Sequence, residues 1–220
     1  MLSDSAPRLS QILPAGVLAA EAVAGRGGLS LTPEESDALG KASVHRLREF
    51  STARNCARLA MQRLGHAPQP ILIGSHREPV WPEDVVGSIT HCSGFCAAAV
   101  ARRRMLPTIG IDVEVHSPLP TEVLSEVLRP EERGSLDCGG SDIHWDRVSF
   151  SVKESVYKAW FPLVRRWLGF KDVVVNFDRD KGLFTARVLV PAPRVGGRAI
   201  DCFRGGYLVR DGLIFTAAWL

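Results

Sequence analysis

Two spacings alternate along this chain. Between Thr32 and Gly65, Leu39, Leu47, Phe50, Ala57, Ala60 and Leu64 supply one apolar side, which predicts helix. Thr32-Pro33-Glu34-Glu35 marks its start: threonine as N-cap, proline at the first helical position, glutamate at the capping-box position. Gly65 is the stop, and Gly40 divides the run in two. A further helix is predicted from Ser149 to about Phe161, with Phe150, Tyr157, Trp160 and Phe161 lining its buried stripe. A shorter one covers Glu122 to Leu128, and Pro130-Glu131-Glu132 starts another turn. Elsewhere the period is two. After a Pro107-Thr108 break, Ile109, Ile111 and Val113 alternate with Gly110, Asp112 and Glu114, the mark of a strand. Strands are also predicted at Ile71–Ile73, from Ser88 to His91, along the small residues Ala97–Ala101, at Val173–Val175 and from Phe184 to Val190. Asp180-Lys181-Gly182 forms a hairpin turn, and Asp211-Gly212 joins Ala199–Val209 to Leu213–Trp219 as a closing hairpin. Asp137 to Ser141 reads as loop, and no tandem repeat is visible.

Composition narrows the class. At 220 residues and 45% hydrophobic, the chain buries a substantial core as one domain or two small ones, as a soluble globular protein does. The apolar stretches Ile12–Ala20 and Phe95–Ala101 fall far short of a membrane span. The first of them lies between Asp4 and Glu21 without a basic leader, so neither signal peptide nor anchor is expected. Five cysteines, odd in number and with no Cys-x-x-Cys, fit reduced thiols in a cytoplasm. His91-Cys92 with Cys96 could be drawn as metal ligands, but no second cysteine/histidine pair completes a tetrahedral site, and core cysteines beside a turn are the better reading. A net charge of +3 permits an acidic partner or a polyphosphate ligand without demanding nucleic acid.

Candidate chemistry sits in two short stretches. Asp112 and Glu114 share a strand face about 6 to 7 Å apart, a separation from which two carboxylates reach one hard cation. A solvated edge strand is the plain alternative. In the long second helix Glu154 and Lys158 lie one turn apart, which by itself is ordinary helix decoration. Lysine usage changes the weight: only five of the 27 basic residues are lysines, and Lys153 and Lys158 are two of them. A compact ammonium binds phosphate as a point charge and donates a proton, which a guanidinium does poorly. Arg46 and Arg54, two turns apart with Arg58 beyond, read from position alone as solvated helix surface, and Arg102-Arg103-Arg104 as a solvated turn.

Gly110-Ile111-Asp112-Val113-Glu114, followed some forty residues later by Phe150-Ser151-Val152-Lys153-Glu154-Ser155-Val156-Tyr157-Lys158-Ala159-Trp160, resembles the 4′-phosphopantetheinyl transferases, more narrowly the Sfp/EntD type and its actinobacterial branch. Ser88-Ile89-Thr90-His91-Cys92, Arg46-Leu47-Arg48-Glu49-Phe50 leading to Arg54-Asn55-Cys56-Ala57-Arg58, and Trp160-Phe161-Pro162 running into Arg166-Trp167-Leu168-Gly169-Phe170 carry the narrower likeness. It covers roughly residues 45 to 176.

The resemblance implies an α+β fold of two similar halves, a pseudo-dimer divided near residues 106 and 107 (1–106 for the coenzyme A nucleotide, 107–220 for metal and catalysis) with the site in the cleft between them. It implies transfer of the 4′-phosphopantetheine arm of coenzyme A to a serine of an apo acyl, aryl or peptidyl carrier protein, including carrier domains of polyketide and nonribosomal peptide synthases, with release of 3′,5′-ADP. Asp112, Glu114 and Glu154 would bind Mg²⁺, with Mn²⁺ as a substitute. Glu154 would be the base, directly or through a metal-bound water; Lys158 would meet the departing 3′,5′-ADP and Lys153 would hold a phosphate. Arg46, Arg54, Ser88, Thr90 and His91 would contact coenzyme A, along with His76 or Arg77, between which the residues do not choose. A cytoplasmic monomer working without nucleic acid or membrane is expected. The rival readings are a non-catalytic coenzyme A-binding protein and a basic nucleic-acid-binding protein.

Overall fold

The structure, a computed structural model, describes residues 7–23, 30–136 and 142–220. The loop expected over Asp137–Ser141 therefore lies outside the described residues. The chain is α+β and divides into two compact units, Met1–Ile109 and Gly110–Leu220.

In the first unit, strand β1 (Leu18–Val23) precedes helices α1 (Pro33–Leu39) and α2 (Val44–Arg63), the two-residue strands β2 (Leu72–Ile73) and β3 (Pro79–Val80), and the hairpin β4 (Val85–Cys92) and β5 (Phe95–Arg102). The sheet order is β1-β5-β4, antiparallel throughout. Ser93 and Gly94 take φ of 37° and 81° at the hairpin tip, the left-handed pair of a tight two-residue turn. Helix α2 lies on the sheet through Ala53, Cys56, Ala57, Ala60 and Met61, which meet Ala20, Cys96, Ala98 and Val100. Small side chains on both layers let backbone approach backbone. The expected capping box is present: the Thr32 hydroxyl accepts from Glu35 N–H, and Glu35 accepts from Thr32 N–H. Gly40, at φ 64°, ends α1, and Gly65, at φ 84°, follows α2. Glu35 is fully buried and also accepts from Ile71 N–H and Arg58, so one carboxylate ties both helices to the start of β2. Strand β1 was not legible, because an isolated run of small apolar residues has no period of its own.

The second unit runs β6 (Ile109–Val115), α3 (Thr121–Val127), α4 (Pro130–Leu136), α5 (Trp145–Val164), β7 (Val173–Asp178), β8 (Leu183–Val188), the short pair β9 (Arg194–Val195) and β10 (Arg198–Ala199), β11 (Cys202–Arg210) and β12 (Leu213–Trp219). Five strands form a sheet in the order β6-β12-β11-β8-β7. The closing hairpin turns at Asp211 and Gly212, both at positive φ, as its Asp-Gly pair demands. Helix α5 is longer at both ends than expected: its N-cap, His144, makes no side-chain cap, so the start carries no signal, and Pro162 is tolerated in the final turn. Its buried stripe also differs. Val148, Val152, Val156, Ala159 and Trp160 face the sheet, whereas Phe150 and Tyr157 are only partly buried.

Gly110 decides how closely β6 and α5 approach. A Cβ there would stand 1.9 Å from Ser155 O and 2.6 Å from Ala159 N, both backbone atoms that cannot swing aside. Gly110→Ala should therefore force α5 off the strand and cost about 1–3 kcal/mol or more, read as a lowered urea midpoint. An unchanged midpoint would mean that the helix does not rest on this glycine.

Candidate active site

Strand alternation sends Gly110, Asp112 and Glu114 to the face of β6 that meets α5. Helical spacing brings Arg147, Ser151, Glu154 and Lys158 along the facing side of α5. Asp112, 4% exposed, is the hub: its Oδ1 accepts from Lys158 Nζ at 2.7 Å and its Oδ2 from Ser151 Oγ at 2.9 Å. Lys158 Nζ also donates to Ile111 O at 3.2 Å. Glu114 accepts from Arg147 Nη1 at 3.2 Å, and Arg147 is pinned by its other nitrogens to Ser117 O and Pro118 O.

Burial, and after it the charge of Asp112, holds both Glu114 and Glu154 above the ordinary carboxylate value of 4.5. Lys158 opposes the rise at both, and Arg147 at Glu114. The three acids thus share one electrostatic neighbourhood with surplus negative charge. Between 4.5 and the raised values the folded state binds more protons than the unfolded chain, so the stability these two groups contribute grows as pH falls through that window and is lost as pH rises through it. In chelator, Glu154→Gln should flatten part of that dependence, measured as thermal melts from neutral pH down to 4.5. An identical pH profile in the variant would rule out the raised value.

The expected metal site needs a qualification. Among the described residues, no group of three His, Cys, Asp or Glu side chains is arranged to hold a metal ion. Lys158 and Arg147 occupy oxygens of Asp112 and Glu114 instead. The chemistry of the donor set still fits a hard divalent cation: three carboxylates, oxygen donors only, partly buried and mutually repelling.

Lys153 does not join this group. Its ammonium is enclosed, side chain 0% exposed, and donates to Glu132 Oε2 at 2.6 Å and Val127 O at 2.8 Å. Glu132 also accepts from Arg129 N–H and from Val175 N–H at 3.0 Å each. An ammonium with two short protein acceptors and no exposed surface has no face for a phosphate, so its expected phosphate contact is replaced by a structural one: it ties α5 to α4, to the end of α3 and, through Glu132, to β7.

In the first unit Arg46 and His91 meet, Nη1 to Nε2 at 3.2 Å, with Glu49 beside both at 4.0 and 3.6 Å. Arg54 is buried, donates from Nε to Ile71 O at 2.7 Å, and lies 4.2 Å over the Phe50 ring; burial draws it down to about 10. Ser88 and Thr90 are buried and, by alternation along β4, on the opposite face from His91 and α2. His76 and Arg77 are both exposed in the β2–β3 turn, where Arg77 takes φ 69°. Burial pushes the Cys56 and Cys96 thiols up to about 12, which suits core packing over metal ligation. Arg102 and Arg103 are bonded within their own unit, to Asp84 and to the Leu64, Glu83 and Val85 carbonyls.

Sequence reasoning missed Glu49, Arg147, Ser151 and Thr216. Glu49 follows Arg46 by three residues, and Arg147, Ser151, Glu154 and Lys158 fall at helical spacing; those intervals were the available signal.

Two family models match the chain: the 4′-phosphopantetheinyl transferase N-terminal domain over residues 34–101, and the 4′-phosphopantetheinyl transferase superfamily over residues 108–195. Among similar proteins, 4′-phosphopantetheinyl transferase Svp of Streptomyces mobaraensis is 49% identical over 190 residues, covering 85% of this chain and 77% of its own. 4′-Phosphopantetheinyl transferase PptT of Mycobacterium tuberculosis is 40% identical over 218 residues, 95% of this chain and 96% of its own. 4′-Phosphopantetheinyl transferase Npt of Nocardia iowensis is 43% identical over 217 residues, 95% and 98%.

Proposed function

Because the chain belongs to the 4′-phosphopantetheinyl transferase superfamily, and so modifies carrier proteins with coenzyme A, we propose that Asp112, Glu114 and Glu154 hold Mg²⁺ against the coenzyme's pyrophosphate. The observation that supports this most is the gathering of Asp112 and Glu114 on β6 opposite Glu154 on α5, where burial first and the charge of Asp112 second raise the two glutamates and positive charge relieves them. Bound there, Mg²⁺ would neutralise charge on the diphosphate.

The chain's own residues do the rest. The carrier serine hydroxyl forms the new bond to the phosphorus bearing the pantetheine arm, and the bond from that phosphorus to the bridging oxygen breaks. Glu154, one helical turn from Lys158, takes the serine proton. Lys158, its side chain 28% exposed, leaves Asp112 Oδ1 and meets the charge on 3′,5′-ADP. Arg147 stays on Glu114, because two backbone carbonyls anchor it. Arg46 and His91 form a pair suited to a phosphate at the nucleotide end, with Arg54 and His76 or Arg77 as further contacts. Ser88 and Thr90 keep their assignment to coenzyme A through the resemblance alone.

We assign the protein to carrier domains of polyketide and nonribosomal peptide synthases, as a monomer acting in the cytoplasm, where the thiols of Cys56, Cys96 and Cys202 stay reduced. No described helix is long and apolar enough to cross a membrane. Incubation with coenzyme A, Mg²⁺ and a panel of apo-carriers should add phosphopantetheine to at least one of them, read by mass. Excess chelator should stop the addition and fresh Mg²⁺ restore it. Labelling that persists in chelator would sink the metal assignment while leaving the transferase intact.

A further inference from the structure

We infer that the hydroxyls of Ser151 and Thr216 are positioning residues that aim the Asp112 carboxylate, and that they set the protein's affinity for a divalent cation. The inference rests on the reading of Asp112 as a ligand. Thr216 lies on β12 between Ile214 and Ala218, on the face covered by α5, and is fully buried. Valine would fill that place without burying a polar atom, and a buried hydroxyl is costly unless bonded. Here it is bonded. Thr216 Oγ1 donates to Ser151 O at 2.9 Å and lies 3.0 Å from Ser151 Oγ; Ser151, also fully buried, donates to Asp112 Oδ2 at 2.9 Å.

Proton counting gives the chain a direction. Ser151 has one hydroxyl proton, and with that proton on the carboxylate its oxygen faces Thr216 as an acceptor. The Thr216 proton then lies between the carbonyl and the hydroxyl oxygen of the same serine, which holds the serine in the rotamer that reaches Asp112. Three elements, β12, α5 and β6, are joined in this way. Oδ2 is committed to a buried partner, whereas Oδ1 is held by Lys158, whose side chain is 28% exposed and reaches water. When the lysine withdraws, Asp112 offers Oδ1 in a fixed orientation. Partners of this kind typically change metal affinity by roughly 10- to 100-fold when removed.

The test uses the whole protein with coenzyme A. Mn²⁺ is titrated and followed by its paramagnetic resonance, beside thermal melts and the Mg²⁺ dependence of carrier labelling. Thr216→Val and Ser151→Ala should weaken Mn²⁺ binding about tenfold and raise the Mg²⁺ needed for half-maximal labelling by the same factor. Labelling at saturating Mg²⁺ should return close to wild type. Thr216→Ser should restore Mn²⁺ affinity, and Thr216→Val, matched in shape, should melt within a few degrees of wild type. Wild-type Mn²⁺ affinity in Thr216→Val, or a Thr216→Ser variant no better than Thr216→Val, overturns the inference; if Ser151→Ala unfolds, the Thr216 pair decides it. A wild-type protein that binds Mn²⁺ but labels no carrier would refute the proposed function and not this inference. Normal labelling with variants indistinguishable from wild type in Mn²⁺ affinity would do the reverse.

Discussion

Asp112→Ala should abolish the labelling of an apo-carrier by coenzyme A in Mg²⁺, a fall of at least about a thousandfold. The size follows from its place. The charge of Asp112 acts on both Glu114 and Glu154, and its two oxygens engage Lys158 and Ser151. Removing it takes away a proposed metal ligand and frees Lys158 to pair with Glu154, the proposed base. Asp112→Asn keeps the shape and should be nearly as inactive. Both variants should fold, because the chain's buried apolar contacts are untouched and Lys158 reaches solvent. Mass measurement of the carrier together with circular dichroism of the enzyme checks both statements. A folded Asp112→Ala that labels near the wild-type rate would remove Asp112 from the mechanism.

Lys153→Met should produce a different defect, a loss of about 3–5 kcal/mol in urea unfolding, since removing one partner of a buried ion pair leaves the other uncompensated. The stranded group is Glu132, buried and bonded to the backbone of Arg129 and Val175 as well as to the lysine. Burial lowers the Lys153 ammonium from its ordinary value of 10.5, and the Glu132 carboxylate opposes that fall. A Glu132→Gln change added to Lys153→Met should recover part of the lost stability, because the isolated buried charge is gone. Lys158→Met, five residues away, also strands a buried carboxylate, Asp112, and should lower stability, but its loss of transfer should be far larger than Lys153→Met gives at the same stability. If Lys153→Met instead unfolds like wild type and binds coenzyme A poorly, the phosphate role returns.

These two lysines show where reading a chain by residue type reaches its limit. Both belong to one short motif and carry the same ammonium, and the motif alone gave both a phosphate. Five residues along a helix is 500° at 100° per residue, so the two point well over 90° apart around its axis. One meets β6 and its acids; the other meets the α3–α4 segment. Likewise the resemblance gives Ser88, Thr90 and His91 one ligand, while β4 sends Ser88 and Thr90 to one face and His91 to the other.

Much was legible from local rules. The capping box at Thr32 and Glu35, the division at Gly40, the alternation through Asp112 and Glu114, and the Asp-Gly hairpin all depend on residues within a few positions of one another, so the chain determined them by itself. The motif order determined the family as well. Only the tertiary structure decided that Arg58 answers Glu35, that Lys153 answers Glu132, and that a hydroxyl on β12 reaches Asp112 through Ser151. Those partners are 21 to 65 residues apart in sequence, and no period or spacing connects them. What brings them together is packing: Gly110 lets α5 lie against β6, and the buried polar groups must then find whatever partners that closeness supplies.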